Sequence, residues 1–431
     1  MRIVLSAVAA TCLAVVSPVY AVDQTIPGAG NAAAIALADR SPLVKSALAR
    51  IEGQISTISD AGLRAATHDA LFNRATCVTH RARLTETDKN AILAELQQQG
   101  LFNTTDADAF AGGAMTGIFP PLRDEGTACP HLPQAFASAP GSGFNGHHSY
   151  PGGLPVHESF NLSSAISFRE NYRLNVGITG EDGLPRVASL PGSHDAAEHS
   201  DLAISYDWII AAPLWHDWAK PIVFQWNADG SEFAEFNFGG NGSTDAYGTS
   251  GDSRTGGHHI IGIAESMARG LPASFVIIQA SAHSAPTLGH EYMVVNWLRA
   301  AAIMARVDPV ALGYLVKDSA GHLRLPPTRT TDSVDFLAAN QANLLAETTI
   351  HNLSDADYIF AGPAVSAALT ILAKLAPDYG YDPAEPAKYN NAFRNPVLSF
   401  LSAERVLIRY NNGGLTGVRR DLDALKKAKV I

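Results

Sequence analysis

The pair His216–Asp217 lies in a strongly apolar stretch, and it constrains the fold of this chain more than any other feature of the sequence. Its neighbours include Ile209, Leu214 and Trp218, so the stretch is expected to be buried. A carboxylate buried without a partner is costly, and a cation would supply that partner. Adjacent residues on a helix point about 100° apart, so both side chains can reach one ion at the edge between them. The pair therefore predicts a metal ion held between two helices.

Three further segments place histidines where such an ion needs ligands. They are His147-His148 with His157, then His258-His259, and finally His283 with His290. Imidazole and carboxylate ligands together suit divalent ions, whereas thiolates would indicate a closed structural zinc site. The sequence predicts one or two divalent ions and does not distinguish Zn, Mn, Fe and Ni. The alternative for His157, His216 and Asp217 is a hydrogen-bonded trio in the core without a metal.

Apolar residues recur with helical spacing along most of the chain, which predicts an all-α fold. The predicted helices lie within 31–100 and cover 154–170, 196–220, 258–269, 291–306, 334–349, 355–375 and 419–429. Residues 222–240 differ, because two aromatic-rich runs flank the turn sequence Asn227-Ala228-Asp229-Gly230. This pattern predicts a small β-hairpin inserted into the helical protein.

The first 21 residues, MRIVLSAVAATCLAVVSPVYA, combine a positive start, a short apolar run and a small-x-small ending. This is the pattern of a secretory signal peptide cleaved after Ala21, with an uncleaved membrane anchor as the alternative. No later stretch is expected to cross a membrane, and the chain is predicted to be periplasmic or secreted. Cys77 and Cys129 remain after cleavage, and two cysteines in an oxidising compartment usually pair. We expect one disulfide; two free buried thiols are the alternative.

The charge of the chain limits its partners. A formal net charge of −10 without a basic run makes the chain a poor candidate for binding long nucleic acid. It still allows a small phosphorylated substrate, held by a metal ion and a few local cations. The sequence does not indicate whether the protein is a monomer or an oligomer.

Four segments resemble, in order, the motifs of the HD-domain superfamily of metal-dependent phosphohydrolases. They are GGLPVHESFNLSSA, DLAISYDWIIAAPLWHDWAK, GHHIIG and SAHSAPTLG. The resemblance covers about residues 145–300 and implies an all-α bundle with one or two metal ions at its centre. It predicts an HD-like metal-binding core at 136–310, a helical N-terminal region at 22–135 after the signal peptide at 1–21, and a helical C-terminal region at 311–431. The alternative is that the C-terminal region packs with the metal-binding core as one domain.

Carried over by position, the resemblance implies a set of metal ligands: His157, His216, Asp217, His258 and His283. Lys220 matches the last letter of the family's HDxxK pattern, one turn past His216, where it could neutralise a substrate phosphate or pair with the ligating acid. Asp217 and Lys220 are therefore the catalytic candidates. Weaker candidates around the same ion are His259, His290, Asn296 and His148, and Glu158 and Glu291 are candidate partners for ring N–H groups.

The sequence departs from the family pattern at its last ligand. The family carries an Asp in the helix after the fourth histidine, and that place holds Arg299 here, with Asn296 one turn earlier. The next aspartate is Asp308. Three alternatives are open: Asn296 replaces this aspartate as a ligand, Asp308 replaces it, or the ligand is lost.

Three functions follow from these features. The first is an exported phosphohydrolase that cleaves a small phosphate ester or nucleotide with metal-activated water. The second is a di-iron oxygenase of the HD type on the same ligands. The third is a degenerate HD-fold protein with a binding or structural role, which the missing aspartate favours.

Overall fold

Helices dominate the computed structural model of this protein, and the strands form only small two-stranded sheets. This confirms the predicted all-α class. The structure describes residues 28–187, 200–239, 243–244, 250–251, 253–327 and 342–431. The predicted signal peptide lies outside the described residues, as do the starts of the helices predicted at 196–220 and 334–349. Those two predictions are wrong over 200–205 and 342–345, which are described and not helical.

Seventeen helices are found in the described ranges. In chain order they are α1 Asn31–Ala38, α2 Pro42–Ile55, α3 Ala61–Phe72, α4 Glu86–Gln98, α5 Thr104–Ala109, α6 Gly113–Ile118, α7 Gly153–Val176, α8 Tyr206–His216, α9 Lys220–Val223, α10 Gly257–Ala268, α11 Ala273–Ala280, α12 Glu291–Ala305, α13 Ala346–Ser354, α14 Tyr358–Leu375, α15 Pro386–Tyr389, α16 Asn395–Leu401 and α17 Ala403–Lys427. Helix α17 is kinked at Gly414.

Eight two-residue strands form four antiparallel pairs. The pairs are β1 Ile178–Thr179 with β2 Pro185–Arg186, β3 Asn237–Phe238 with β6 Thr255–Gly256, β4 Ser243–Thr244 with β5 Ser250–Gly251, and β7 Val316–Lys317 with β8 Leu323–Arg324. The predicted hairpin at 222–240 is only partly present. A single bridge joins Trp226 to Glu232 around the predicted turn, while the second aromatic run pairs with β6 instead of with the first run.

The largest apolar core runs from Ile51 to Leu345 and includes the buried side chains of α8, α10, α11 and α12. It crosses the predicted boundary at 135/136, so the N-terminal helices share the core of the predicted metal-binding region. A second apolar core joins Tyr150 to α14, α16 and α17. Helices α14, α16 and α17 thus share a core separate from the largest one, whereas α13 packs against α7 and α8.

Helix α7 lies at the centre of the packing and contacts α2, α8 and α13. Helix α11 packs on α8 and α13, and α10 packs on α12. Ser205 caps α8 by accepting a hydrogen bond from the backbone N–H of Trp208, which fixes where this helix begins. The contacts among α7, α8, α10, α11 and α13 bring the four histidine segments to one place.

Cys77 and Cys129 lie at disulfide distance, with their Cα atoms 5.1 Å apart. This separation falls within the range of protein disulfides. The two cysteines are 52 residues apart in the sequence, and a backbone bridge between Cys77 and His131 joins the same two segments. The predicted pairing is therefore confirmed.

One helical segment, Ala346–Tyr379, has the length and hydropathy of a membrane span, with a mean hydropathy of 1.7. The prediction that no stretch after the signal peptide is long and apolar enough to cross a membrane is therefore not met on length and composition. Its first part, α13, packs against α7, α8 and α11 inside the protein. Length and composition alone are weak evidence for a span, since the core helix of a globular protein satisfies the same test.

Candidate metal centre

His157 is positioned by the first turn of α7, which begins with two glycines. Gly152 has a φ of +82°, and a Cβ there would lie 2.3 Å from Cγ2 of Val44 in α2. A Cβ on Gly153 would lie 1.8 Å from the carbonyl oxygen of His148. Only glycine allows this close approach, so the pair lets α7 begin against α2 and the preceding loop. One turn later the side chain of His157 is buried.

The end of α8 supplies His216 and Asp217, both fully buried. Pro213 lies in the last turn, and its carbonyl oxygen is 2.6 Å from Nδ1 of His216. Asp217 is the residue that ends the helix. The motif thus lies where the helix stops, which lets two adjacent side chains turn toward the same point.

His258 lies in the first turn of α10, next to the carboxylate of Glu235. Glu235 accepts hydrogen bonds from the backbone N–H of His258 at 3.1 Å and faces its Nδ1 at 2.6 Å. A Cβ on Gly256 would lie 2.6 Å from this carboxylate, so glycine is needed before the histidine. Negative charge at a helix N-terminus is also favourable.

Four imidazoles have Nδ1 next to a protein partner, which directs Nε2 toward a common centre. The pairs are His157 with Asp357 Oδ1 at 3.0 Å, His216 with Pro213 O at 2.6 Å, His258 with Glu235 Oε2 at 2.6 Å and His283 with Thr255 Oγ1 at 2.9 Å. Such outer partners fix the tautomer and orientation of metal-binding histidines. The arrangement leaves Nε2 of His216, His258 and His283 as possible donors to a cation, whereas Nε2 of His157 also lies 3.1 Å from Nδ2 of Asn161.

The carboxylate that completes the centre comes from the C-terminal region. Asp355, at the end of α13, places Oδ1 3.2 Å from Nε2 of His157 and 3.4 Å from Nε2 of His216. Oδ2 of Asp217 lies 3.3 Å from Nε2 of His157, and its Oδ1 lies 3.3 Å from Nε2 of His216. Each aspartate thus lies against both imidazoles, and each belongs to a group of side chains that could hold a metal ion with His216.

These donor spacings fit a divalent ion. Ligands bound tetrahedrally at about 2.1 Å from an ion are about 3.4 Å apart, and octahedral ligands are about 3.0 Å apart. The observed spacings of 3.2–3.4 Å lie between these values. A second group, formed by Asp217, His258 and His283, shares Asp217 with the first. Oδ1 of Asp217 lies 3.3 Å from Nε2 of His258, so one carboxylate can serve two ions.

Several of these donor atoms are buried without a hydrogen bond. They include Nε2 of His216, Nε2 of His258 and Oδ1 of Asp217, counted over the ranges that the structure describes. Buried polar atoms in proteins are nearly always satisfied, and an orphaned set calls for a missing partner. Cations bound in the two groups would satisfy these atoms.

The electrostatics of the centre depend on how its charges are balanced. Burial lowers the pKa of His216, but Asp217 and Asp355 outweigh it and raise the pKa to about 9. Burial likewise opposes protonation of His157, yet Asp357 and its neighbours hold the pKa of this imidazole well above the ordinary value. The pKa of Asp217 is well below its usual range, since His216 and Lys220 outweigh its burial. Without a metal these imidazoles bind protons, so metal ions and protons compete for the same atoms.

Lys220 is buried and contacts the carboxylate of Asp217 and the carbonyl oxygen of Gly141. Of the two roles expected for it, this placement favours pairing with the ligating acid. Burial lowers the pKa of Lys220, but the pairing with Asp217 raises it above the ordinary value. Lys220 therefore stays protonated and forms a buried ion pair with Asp217.

The weaker candidates lie at different distances from the centre. His259 is buried, but its Nε2 faces the carbonyl oxygen of Ala280 at 3.2 Å and its ring stacks on His283. His290 is exposed near Ser284. His148 faces Asp357 Oδ2 at 3.0 Å, which places it one contact beyond His157.

The two expected substitutes for the family's last aspartate are directed elsewhere. Asn296 faces Ser253 and Arg299, and Asp308 is exposed in a loop where it accepts from the backbone of Val310 and Ala311. The carboxylate that lies beside His157 and His216 is that of Asp355. Of the two glutamates expected beside ring N–H groups, Glu158 lies 3.8 Å from Nδ1 of His216, while Glu291 binds Arg324.

No protein-family model matches the sequence, and no curated protein or solved structure matches it either. The HD-domain resemblance therefore rests on the sequence motifs alone.

Sequence reasoning missed the ligand candidates of the C-terminal region. His351 and Asp355 are four residues apart on α13, so both face the same side of the helix. The ring of His351 lies 5.1 Å from that of His216, and in the described part of the chain neither of its nitrogens has a hydrogen bond. The available signal was this i, i+4 pair of polar residues in an otherwise apolar segment.

Proposed function

We propose that this protein is an exported, metal-dependent phosphohydrolase of the HD type, acting on a small phosphate ester or nucleotide. The observation that carries the proposal is the convergence of four oriented imidazoles on two buried aspartates, at spacings that fit divalent ions. Asp355 provides the last carboxylate and so weakens the case for a degenerate site. The disulfide-distance cysteines and the first 21 residues support export.

A divalent ion bound here acts as a Lewis acid and lowers the pKa of a bound water toward neutrality. Asp217 holds its two oxygens toward both ligand groups, and Lys220 stabilises its negative charge. His283 lies at the open side of the centre, with 27% of its side chain exposed, whereas His157, His216 and Asp217 are closed off. A substrate phosphate would thus approach past His283.

The test combines metal content with turnover of bis(p-nitrophenyl) phosphate by protein purified without chelator. We expect one or two Zn, Mn, Fe or Ni ions per chain, activity that EDTA removes, and activity that returns with the metal. His258→Ala should lower turnover at least about tenfold, since it removes a donor from the second group. His290→Ala is the matched control, because His290 is exposed, and it should leave turnover unchanged.

Two outcomes would replace the proposal. Two irons per chain with oxygen consumption and no phosphodiester turnover would indicate a di-iron oxygenase on the same ligands. A metal-free protein, inert after metal addition and with unchanged melting in EDTA, would indicate a structural or binding role.

A further inference from the structure

His147, His148 and Asp357 form a further cluster of ligand atoms beside His157. One ligand atom from each of these four residues lies within 4.8 Å of the others. Nδ1 of His157 faces Oδ1 of Asp357 at 3.0 Å, whereas its Nε2 faces Oδ2 of Asp217 at 3.3 Å. The cluster therefore adjoins the metal centre but lies on the other side of the ring of His157.

The two ring nitrogens of His148 are placed as in a metal ligand. Nδ1 lies 3.1 Å from the hydroxyl of Tyr150 and 3.8 Å from Oε1 of Glu404, while Nε2 lies 3.0 Å from Oδ2 of Asp357. Oε1 of Glu404 is buried and has no hydrogen bond within the described ranges, so it favours the tautomer that carries the proton on Nδ1. In that tautomer the lone pairs of Nε2 and Oδ2 face each other, and a cation between them removes the conflict.

His147 supplies the third ligand atom. Its Nδ1 is buried, and over the residues that the structure describes it has no hydrogen-bond partner. Buried polar atoms are nearly always satisfied, so this nitrogen calls for a partner. The chain turns here in a left-handed conformation, since φ of His148 is +50°, and both adjacent imidazoles lie near the carboxylate of Asp357. One ion between the three side chains would satisfy the nitrogen of His147.

We propose that His147, His148 and Asp357 bind a zinc ion of their own, separate from the ions of the metal centre. Two imidazoles and one carboxylate are a ligand set of zinc sites that keep the fourth position open. Asp357 uses its two oxygens differently: Oδ2 binds the ion, and Oδ1 keeps the ring of His157 oriented. The inference does not rest on the proposed function, because it concerns another ion and makes no claim about turnover.

The test counts zinc ions per chain by elemental analysis after dialysis of the protein against submillimolar Zn²⁺. This concentration is chosen because three protein ligands hold an ion less tightly than the larger donor set of the metal centre. The double variant His147→Gln/His148→Gln removes two of the three ligands and leaves His157 and Asp357 in place. It should bind one zinc ion per chain fewer than the wild type. His68→Gln is the matched control, because His68 is exposed on α3, and it should bind as many ions as the wild type.

Equal zinc content in the wild type and the double variant, or an equal loss in His68→Gln, would overturn the inference. Loss of every ion in a double variant that keeps the circular dichroism of the wild type would also overturn it, since the two histidines would then only support the metal centre. If the double variant does not fold, anomalous diffraction at the zinc edge from wild-type crystals decides. A peak about 2.0–2.2 Å from Nε2 of His148 and from an oxygen of Asp357 supports the inference, and the absence of this peak overturns it.

One zinc ion fewer in the double variant, together with a wild type that does not turn over phosphodiesters, would support this site and count against the proposed function. Metal-dependent turnover by the wild type, together with equal zinc content in the two proteins, would do the reverse. The two claims therefore fail separately.

Discussion

Asp355 shows how a single residue completes a site whose other parts are recognisable in the sequence. His157, His216, Asp217 and His258 could be predicted because each stands in a short motif with its own glycine, apolar or lysine context. Asp355 has no such context, and no local rule relates it to α8. Its place depends on the packing of α13 against α7 and α8, which is set by the whole core.

Replacing Asp355 tests this assignment at the scale of one side chain. Asp355→Asn removes a charged donor from both His157 and His216, so we expect metal content to fall at least about tenfold in protein dialysed against micromolar metal. Asp308→Asn is the matched control, because Asp308 is exposed and only caps a loop. Elemental analysis checks both variants. Equal metal content in the two would reject Asp355 as a ligand.

At the scale of elements, periodicity predicted several helices closely. The predictions 154–170, 258–269 and 291–306 correspond to Gly153–Val176, Gly257–Ala268 and Glu291–Ala305. The last helix begins at Ala403 instead of 419, because Gly413-Gly414 in its middle interrupt the pattern but only kink it. The aromatic run before Phe238 pairs with Thr255, a non-local contact that no turn signal indicates.

The start of α7 makes a testable claim about glycine. Gly152→Ala combines an unfavourable positive φ with a clash against Val44, whereas Gly270→Ala has a similar φ of +69° and open space around it. We expect Gly152→Ala to lower the free energy of unfolding by about 1–3 kcal/mol more than Gly270→Ala. Denaturant titration measures the difference. Equal destabilisation would show that the close approach of α7 to α2 is not required.

At the scale of the whole molecule, the structure joins regions that the sequence separates. The apolar core crosses the boundary predicted at 135/136, because α2 packs on α7 and α8, α3 packs on α8, and α4 packs on α12. Composition and periodicity indicate that these helices exist, but they carry no information on which helix packs on which. The all-α class was therefore predictable, and the sharing of one core was not.

The cysteine pair is expected to stabilise the folded protein, because a cross-link lowers the conformational entropy of the unfolded chain. A cross-link between Cys77 and Cys129 restricts a loop across 52 residues. Replacing both cysteines by alanine should lower the free energy of unfolding by about 4 kcal/mol, the loop-entropy value for a loop of this size. Denaturant titration with and without reductant checks this value. A reductant effect that persists in the double variant would contradict the assignment.

The side chain of Glu232 is buried, and its carboxyl oxygens have no hydrogen-bond partner within the part of the chain that the structure describes. Burial raises the pKa of Glu232 to about 8, and Arg394 only partly offsets this effect. Because the folded-state pKa lies above the ordinary value of 4.5, the stability that Glu232 contributes is full below pH 4.5 and is lost as the pH rises through about 8. The melting temperature of the wild type should therefore fall relative to Glu232→Gln between pH 5 and 9.

Glu52→Gln is the matched control for this pH dependence, since Glu52 is largely exposed. Its melting temperature should follow the wild type across the same range. A constant difference between the wild type and Glu232→Gln at every pH would contradict the assignment of a neutral, buried carboxyl.

The most direct test of the metal centre is anomalous diffraction from crystals of protein purified without chelator and supplied with the metal it contains. The account predicts a peak about 2.0–2.2 Å from Nε2 of His157 and His216 and from carboxylate oxygens of Asp217 and Asp355. A peak confined to other residues, or none while these four side chains hydrogen-bond to one another, would contradict it.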